Sequence, residues 1–205
     1  MRRRPIYYVL LAAGLSRRFG GNKLLADICG TPIVRASASV AASAGLPLAV
    51  VTGHDRSSVL RALEGVDFVE VMNPAYESGL SSSVRAAIAE LREQADALEF
   101  APADMPLIPP SVPRLLAEIR EDSGAPLVAP TYRGARGHPV LLGAELYDDA
   151  LAHLSGDQGL SGLLSSRKEL ALEVEVDSPG VILDVDSPED LERVRGIACG
   201  GREKR

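Results

Sequence analysis

The feature that most constrains this chain is the alternation of two kinds of run. Short aliphatic or β-branched stretches at Ile6 to Leu11, Leu48 to Val51, Phe68 to Met72, Leu98 to Ala101, Leu127 to Ala129, Val140 to Leu142, Leu172 to Val176 and Val181 to Asp184 read as strands. Between them lie Ala- and Leu-rich stretches of helical period at Pro32 to Ala44, Ser57 to Leu63, Ser82 to Ala97, Val112 to Glu121, Ala144 to Leu154, Leu160 to Ser165 and Pro188 to Arg195. Such alternation builds βαβ units, so the predicted class is α/β, a mostly parallel sheet flanked by helices. Thr31-Pro32 and Ser187-Pro188 each offer a hydroxyl at the N-cap and a proline at the first helical position, where its missing N–H costs nothing. Asp190 then complements the positive end of the last helix.

With 205 residues, 46% of them hydrophobic and 24% charged, the chain has the size of one globular domain. A chain this long buries roughly 70% of its unfolded surface and holds a core without disulfides or structural metal. Cys29 and Cys199 are far apart, with no Cys-x-x-Cys and no His at ligand spacing. That pattern argues against a disulfide framework and a zinc ribbon, and for a reducing, cytoplasmic compartment. The net charge of −6 argues against nucleic acid as a partner while leaving room for a local basic pocket. Arg2-Arg3-Arg4 before an apolar run has the look of a secretory signal, but the run is short and moves straight into a glycine-rich segment, which reads better as a first strand and loop. The longest uncharged stretch, Ala36 to His54, contains several Ser, two Gly and a Pro, and is no membrane span. The domain is expected over 1–198, with the Gly- and charge-rich segment 199–205 as a fraying tail.

Three segments carry candidate chemistry. The first, Leu11-Ala12-Ala13-Gly14-Leu15-Ser16-Arg17-Arg18-Phe19-Gly20-Gly21-Asn22-Lys23, is a small-residue loop after a buried strand, with cations inside and at its end. Small residues let backbone N–H groups approach phosphate oxygens, and the cations neutralise charge that amides alone cannot. It is neither a Walker loop nor a G-x-G-x-x-G loop, and a plain turn with solvated arginines is the competing reading. The second is Pro102-Ala103-Asp104-Met105-Pro106, a carboxylate just past an apolar run, where open α/β sheets place their ligands; a turn-capping Asp is the alternative. The third is Leu183-Asp184-Val185-Asp186-Ser187-Pro188-Glu189-Asp190, whose Asp184 and Asp186 share a face if the strand persists. Helix-end electrostatics accounts well for Glu189 and Asp190 and poorly for Asp186.

Taken in order, Leu-Ala-Ala-Gly-x-Ser-x-Arg-x-Gly-x-x-Lys, Asp104-Met105-Pro106, Gly137-His138-Pro139-Val140 and Asp184-Val185-Asp186-Ser187-Pro188-Glu189-Asp190-Leu191 resemble the MobA-like nucleoside-triphosphate transferases, and among them the molybdenum cofactor cytidylyltransferases. The resemblance covers about Val9 to Val194, and its long first motif is the specific one. It implies a single Rossmann-related, glycosyltransferase-A-like domain that transfers a nucleoside monophosphate with Mg²⁺. By the same resemblance Arg18 and Lys23 are the catalytic cations, and Asp104 and Asp186 hold the metal. Nucleotide contacts fall on Leu11, Ala12, Ala13, Gly14, Ser16, Arg18, Lys23, Asn73, Gly79, Ser81, Ser82 and Ser83, and acceptor contacts on Arg136, Gly137, His138 and Asp157. Transfer of this kind needs positioned charge more than a nucleophilic triad. A phosphate acceptor is already ionised at neutral pH, so no general base is required.

Cytidylyl members resemble Leu-Ala-Ala-Gly and guanylyl members Leu-Ala-Gly-Gly, so Ala13 points to CTP among the nucleoside triphosphates. The implied acceptor is a phosphorylated small molecule, molybdopterin first and a sugar or polyol phosphate second, and the implied client is a molybdoenzyme. A non-catalytic nucleotide-binding adaptor is the rival class, against which Arg18, Lys23, Asp104 and Asp186 stand intact. Gly156-Asp157-Gln158-Gly159-Leu160-Ser161 departs from the family's Gly-Asp-x-Gly-Ala-Arg, removing an acceptor-side cation that Arg133 or Arg136 could replace. His54 and His153 read as surface or cap residues.

Overall fold

The computed structural model describes residues 4–16 and 18–200. In chain order the strands are β1 (Ile6–Leu11), β2 (Asp27–Ile28), β3 (Thr31–Pro32), β4 (Leu48–Thr52), β5 (Val69–Met72), β6 (Ala97–Pro102), β7 (Leu127–Tyr132), β8 (Ala135–Arg136), β9 (Val140–Gly143) and β10 (Ala171–Glu175). The helices are α1 (Ile33–Ala44), α2 (Arg56–Ala62), α3 (Leu80–Leu91), α4 (Ser111–Ser123), α5 (Tyr147–His153), α6 (Ser161–Ser166) and α7 (Pro188–Gly200), with short 3₁₀ turns at Lys23–Leu25, Tyr76–Ser78, Ala144–Leu146 and Pro179–Ile182.

The main sheet has the order β10-β7-β9-β6-β1-β4-β5, with β8 paired to β7. Neighbours run parallel except where β9 lies against β6 and β7 and β8 turns back on β7. Period-two alternation along β1 sends Tyr8 and Leu10 to one face and Val9 to the other. The first face packs under α1, α4 and α7, and the second under α3, α5 and α6. Chain order reverses at β1, which has the later β4 on one side and the still later β6 on the other. That reversal opens a crevice beyond the carboxyl ends of β1 and β6.

Several sequence expectations are corrected. The helix expected over Ser82 to Ala97 ends at Leu91, because Ala97 pairs with Ile6 at the start of β6; an apolar run alone cannot separate helix from buried strand. The strand expected over Val181 to Asp184 is instead the 3₁₀ turn Pro179–Ile182 followed by irregular chain. Its backbone bonds go to loops, with His138 N donating to the Val181 carbonyl and Val185 N to the Asp104 carbonyl. Thr31-Pro32 forms a short antiparallel pair with β2, and no side chain caps α1. Ser187 behaves as expected: its Oγ accepts from Asp190 N at 3.2 Å while the Asp190 carboxylate accepts from Ser187 N and Oγ.

The expectation of two unpaired cysteines is also corrected. Cys29 and Cys199 form a disulfide across a sequence separation of 170, because α7 folds back along β2. Cys199 and Gly200 therefore belong to the last turn of a helix, and the rest of the expected tail, 201–205, lies outside the described residues. Among the described residues no helix is long and apolar enough to cross a membrane.

Candidate functional site

The glycine-rich loop begins where β1 ends, between β4 and β6. Ala12 N donates to the Val51 carbonyl and Ala103 N to the Leu11 carbonyl, so the sheet ladder holds the chain until it leaves the edge. Beyond that edge the loop lines a cleft of about 720 Å³. A side chain added at Gly14 would meet nothing within 4 Å, which leaves its backbone open to a ligand. Ser16 takes a positive φ of 51°, and its buried hydroxyl has no hydrogen-bond partner. Arg17 lies outside the described residues. The loop closes on Asn22, whose Oδ1 accepts from Leu24 N and whose Nδ2 donates to Asp55, capping the turn that presents Lys23.

Lys23 is the centre of the site. Its Nζ lies 2.5 Å from Asp104 Oδ2 and 2.7 Å from Asp186 Oδ1, while Arg18 Nη2 donates to Asp186 Oδ2 at 2.6 Å. Two carboxylates that touch one nitrogen lie well inside roughly 8 Å of each other, the span beyond which a divalent ion with ~2.1 Å bonds could not bridge them. The Lys23, Asp104 and Asp186 side chains are 14%, 16% and 29% exposed, against 77% for Arg18. Burial pulls the Lys23 ammonium's pKa down, but Asp104 and Asp186 more than offset this and leave it raised. Asp184, also in the cleft, is pushed up by burial and by its neighbours Asp104 and Asp186.

The pair can hold a divalent cation. Asp104 Oδ1 is buried without a partner, a free acceptor beside the shared one. Among the described residues no third His, Cys, Asp or Glu joins them in a ligand cluster. Two carboxylates with no further protein ligand suit a hard divalent cation that keeps water and substrate oxygens among its ligands.

Of the other predicted contacts, Leu11, Ala13, Gly79, Ser83, Arg136, His138 and Asp157 line the cleft. Ala12 is in the core beneath it. Asn73 is buried and donates to the Ser82 and Ser83 hydroxyls, tying β5 to the start of α3. The Ser81 hydroxyl is buried and unpartnered, while Ser81 N donates to the Gly156 carbonyl. Asp157 Oδ1 accepts from Leu80 N, and a side chain at Gly79, where φ is +100°, would collide with Asp157 and the Gly156 backbone. Gly137 is needed where it stands, since a Cβ there would strike the Val181 carbonyl. Burial pushes the His138 pKa down against the opposing pull of Asp104 and Asp184, and its buried Nδ1 has no hydrogen-bond partner. Arg136 reaches the cleft, paired with Glu173 of β10 at 2.5 Å, whereas Arg133 stacks over the Tyr132 ring. His153 closes the last turn of α5 against Asp149, and the His54 ring lies 6.1 Å from that of Tyr76.

Tyr76, Glu77 and Ser78, in the segment 73–83 whose resemblance implies a turn and helix start that help hold base and sugar, form a wall of the cleft, while sequence reasoning missed Gly53. A Cβ at Gly53 would lie 2.7 Å from the Tyr76 Cβ and 2.8 Å from the Ala13 Cβ, so this glycine lets the wall close on the loop. The signal present in sequence was a lone glycine after β4, which by itself identifies nothing.

A glycine-rich loop, two cations and two carboxylates meet at the switch point of a mixed α/β sheet, the place where such folds bind ligands, and comparison with known proteins makes this a nucleotidyltransferase of the glycosyltransferase-A-like fold. The chain belongs to the family with the MobA-like NTP transferase domain, which matches residues 8–174. It is 26% identical over 184 residues to the molybdenum cofactor cytidylyltransferase of Escherichia coli (strain K12), covering 89% of this chain and 92% of that protein. It is 25% identical over 194 residues to the molybdenum cofactor guanylyltransferase of Shewanella woodyi (strain ATCC 51908 / MS32), covering 91% and 93%. The crystal structure of Rv0371c from Mycobacterium tuberculosis H37Rv in complex with manganese superposes with a TM-score of 0.77 at 28% identity, covering 94% of this chain and 98% of that one.

Proposed function

We propose that this chain transfers CMP from CTP to a phosphorylated acceptor, molybdopterin in the first instance, with Mg²⁺ held by Asp104 and Asp186. The observation that carries the reading is the cluster of Lys23, Arg18, Asp104 and Asp186 in one cleft. An oxygen of the acceptor phosphate attacks the α-phosphorus, a P–O–P bond forms, the bond to the β-phosphate oxygen breaks, and pyrophosphate leaves with the electron pair. Mg²⁺, when bound, neutralises charge on the phosphates as it builds. Lys23 and Arg18 stabilise the departing pyrophosphate, and the loop from Ala13 to Ser16 offers its backbone N–H groups to phosphate oxygens. The acceptor phosphate arrives ionised, so no side chain has to remove a proton. Arg136 and His138 face the cleft as acceptor-side contacts.

The preference for cytosine rests on Ala13, whose methyl group packs in the crowded corner beside Gly53 and Tyr76 and narrows the space open to a base. The relatives divide between cytidylyl- and guanylyltransferases at nearly equal identity, so overall likeness does not decide the base. We place the reaction in the cytoplasm, where nucleoside triphosphates are supplied. The deciding experiment is Mg²⁺-dependent pyrophosphate release from CTP, GTP and ATP with molybdopterin as acceptor. Release with CTP ahead of the others is the expected result. Release with GTP ahead overturns the base assignment, and no release with any nucleotide overturns the acceptor.

A further inference from the structure

The ammonium of Lys23 stands where the proposed metal carboxylates converge. It contacts both of them within 2.7 Å, in a part of the cleft where all three side chains are less than a third exposed. Withdrawing a charge from such a cluster without replacement leaves partly buried carboxylates uncompensated, which is costly. Arg18 cannot take over the role, because it reaches only the outer oxygen of Asp186 from a largely exposed position.

We propose that Lys23 is the resident counter-ion of Asp104 and Asp186, denying the pair to free divalent cation until a nucleoside triphosphate offers the ammonium a second anionic partner. This rests on the reading of Asp104 and Asp186 as the metal pair. A divalent cation arriving alone would meet an ammonium already on the carboxylates and would have to displace it from its contacts with both of them. A triphosphate arriving alone would draw Lys23 away and leave the carboxylates unpaired. Arriving together, they satisfy every charge, since the cation takes the carboxylates and the phosphates take the ammonium. The flexible four-carbon stem and three donors of lysine suit this exchange, where a rigid guanidinium would not. Metal and nucleotide are thereby coupled, each raising the affinity for the other by the same factor.

The test is Mn²⁺ binding to the full chain without nucleotide, read from the electron paramagnetic resonance signal of free Mn²⁺. Lys23→Met keeps the side-chain length and removes the charge, and Lys23→Gln serves as a second variant; circular dichroism verifies folding of each. The wild type is expected to bind Mn²⁺ weakly, and both variants on the order of tenfold tighter or more. Arg18→Met, which removes an equal but exposed charge, is expected to change affinity by less than about threefold. Adding Asp104→Asn to Lys23→Met should abolish the gain. The proposal is overturned if folded Lys23→Met and Lys23→Gln bind no tighter than wild type, if Arg18→Met gains as much, or if the gain survives Asp104→Asn. Because the titration needs no turnover and no nucleotide, its failure is separate from that of the transferase reading, which pyrophosphate release decides.

Discussion

Glu99 and Asp104 belong to the same stretch of chain and have opposite fates. Glu99 sits mid-strand in β6, fully buried, opposite Tyr8 of β1, with neither carboxyl oxygen hydrogen-bonded. Burial pushes its pKa well above the carboxylate range, and it in turn adds to the rise that burial imposes on the Tyr8 hydroxyl. Asp104 stands just past the end of the strand, in the cleft, against the Lys23 ammonium. A carboxyl inside the sheet adapts to the core by holding a proton, while one beyond its edge finds a cation and a ligand-sized space. Position relative to the sheet edge, and not residue type, separates them.

The sharpest way to break this contrast is to neutralise each carboxyl. Asp104→Asn and Asp186→Asn are expected to lower pyrophosphate release by on the order of 10³-fold or more, with thermal stability near that of wild type, since the lost charge-stabilising group serves the reaction. A variant that unfolds instead would make Asp104 structural and erase the distinction from Glu99. Next in size, Lys23→Ala and Arg18→Ala should each cost on the order of 10²-fold in turnover while retaining their circular-dichroism signal.

Glu99→Gln should leave turnover unchanged and alter the response of stability to pH. In the native state Glu99 keeps its proton where the unfolded chain, at its ordinary value near 4.3, has released it. Its contribution is therefore fully present below about pH 4.3 and declines as pH rises towards the folded pKa, by up to about 1.4 kcal/mol per pH unit. Urea midpoints of wild type and Glu99→Gln should nearly coincide at pH 4 and favour the variant at pH 8. Parallel profiles would mean that the buried carboxyl is satisfied after all. The smallest expected effect is at the loop, where Ala13→Gly should reduce the preference for CTP over GTP by several-fold, about 1 kcal/mol or less, measured as the ratio of kcat/KM values.

Legibility followed the range of the interactions. The expected strand Ile6 to Leu11 coincides with β1, and the glycine-rich loop after it needed only local composition to be recognised. Asp104 stood out because it ends an apolar run, yet Glu99, inside that same run, gave no sign of its burial. Asp184 and Asp186 both reach the cleft although no strand carries them there, because the Val185 amide is tied to the Asp104 carbonyl. The cysteines were misread because sequence distance says little about spatial distance once a terminal helix packs back on the sheet.

By itself the sequence determined the α/β class, the glycine-rich loop after β1 and the residue types available for chemistry, since each follows from periodicity or composition within a short window. Only the tertiary structure decided that Lys23 lies between Asp104 and Asp186, that Arg136 enters the cleft while Arg133 does not, and that Cys29 meets Cys199. Those contacts join segments far apart in the chain: the reversal of strand order at β1 brings the Lys23 loop and Asp104 to one edge, the bond from the Val185 amide to the Asp104 carbonyl brings Asp186 to them, and the packing of α7 along β2 brings Cys199 to Cys29.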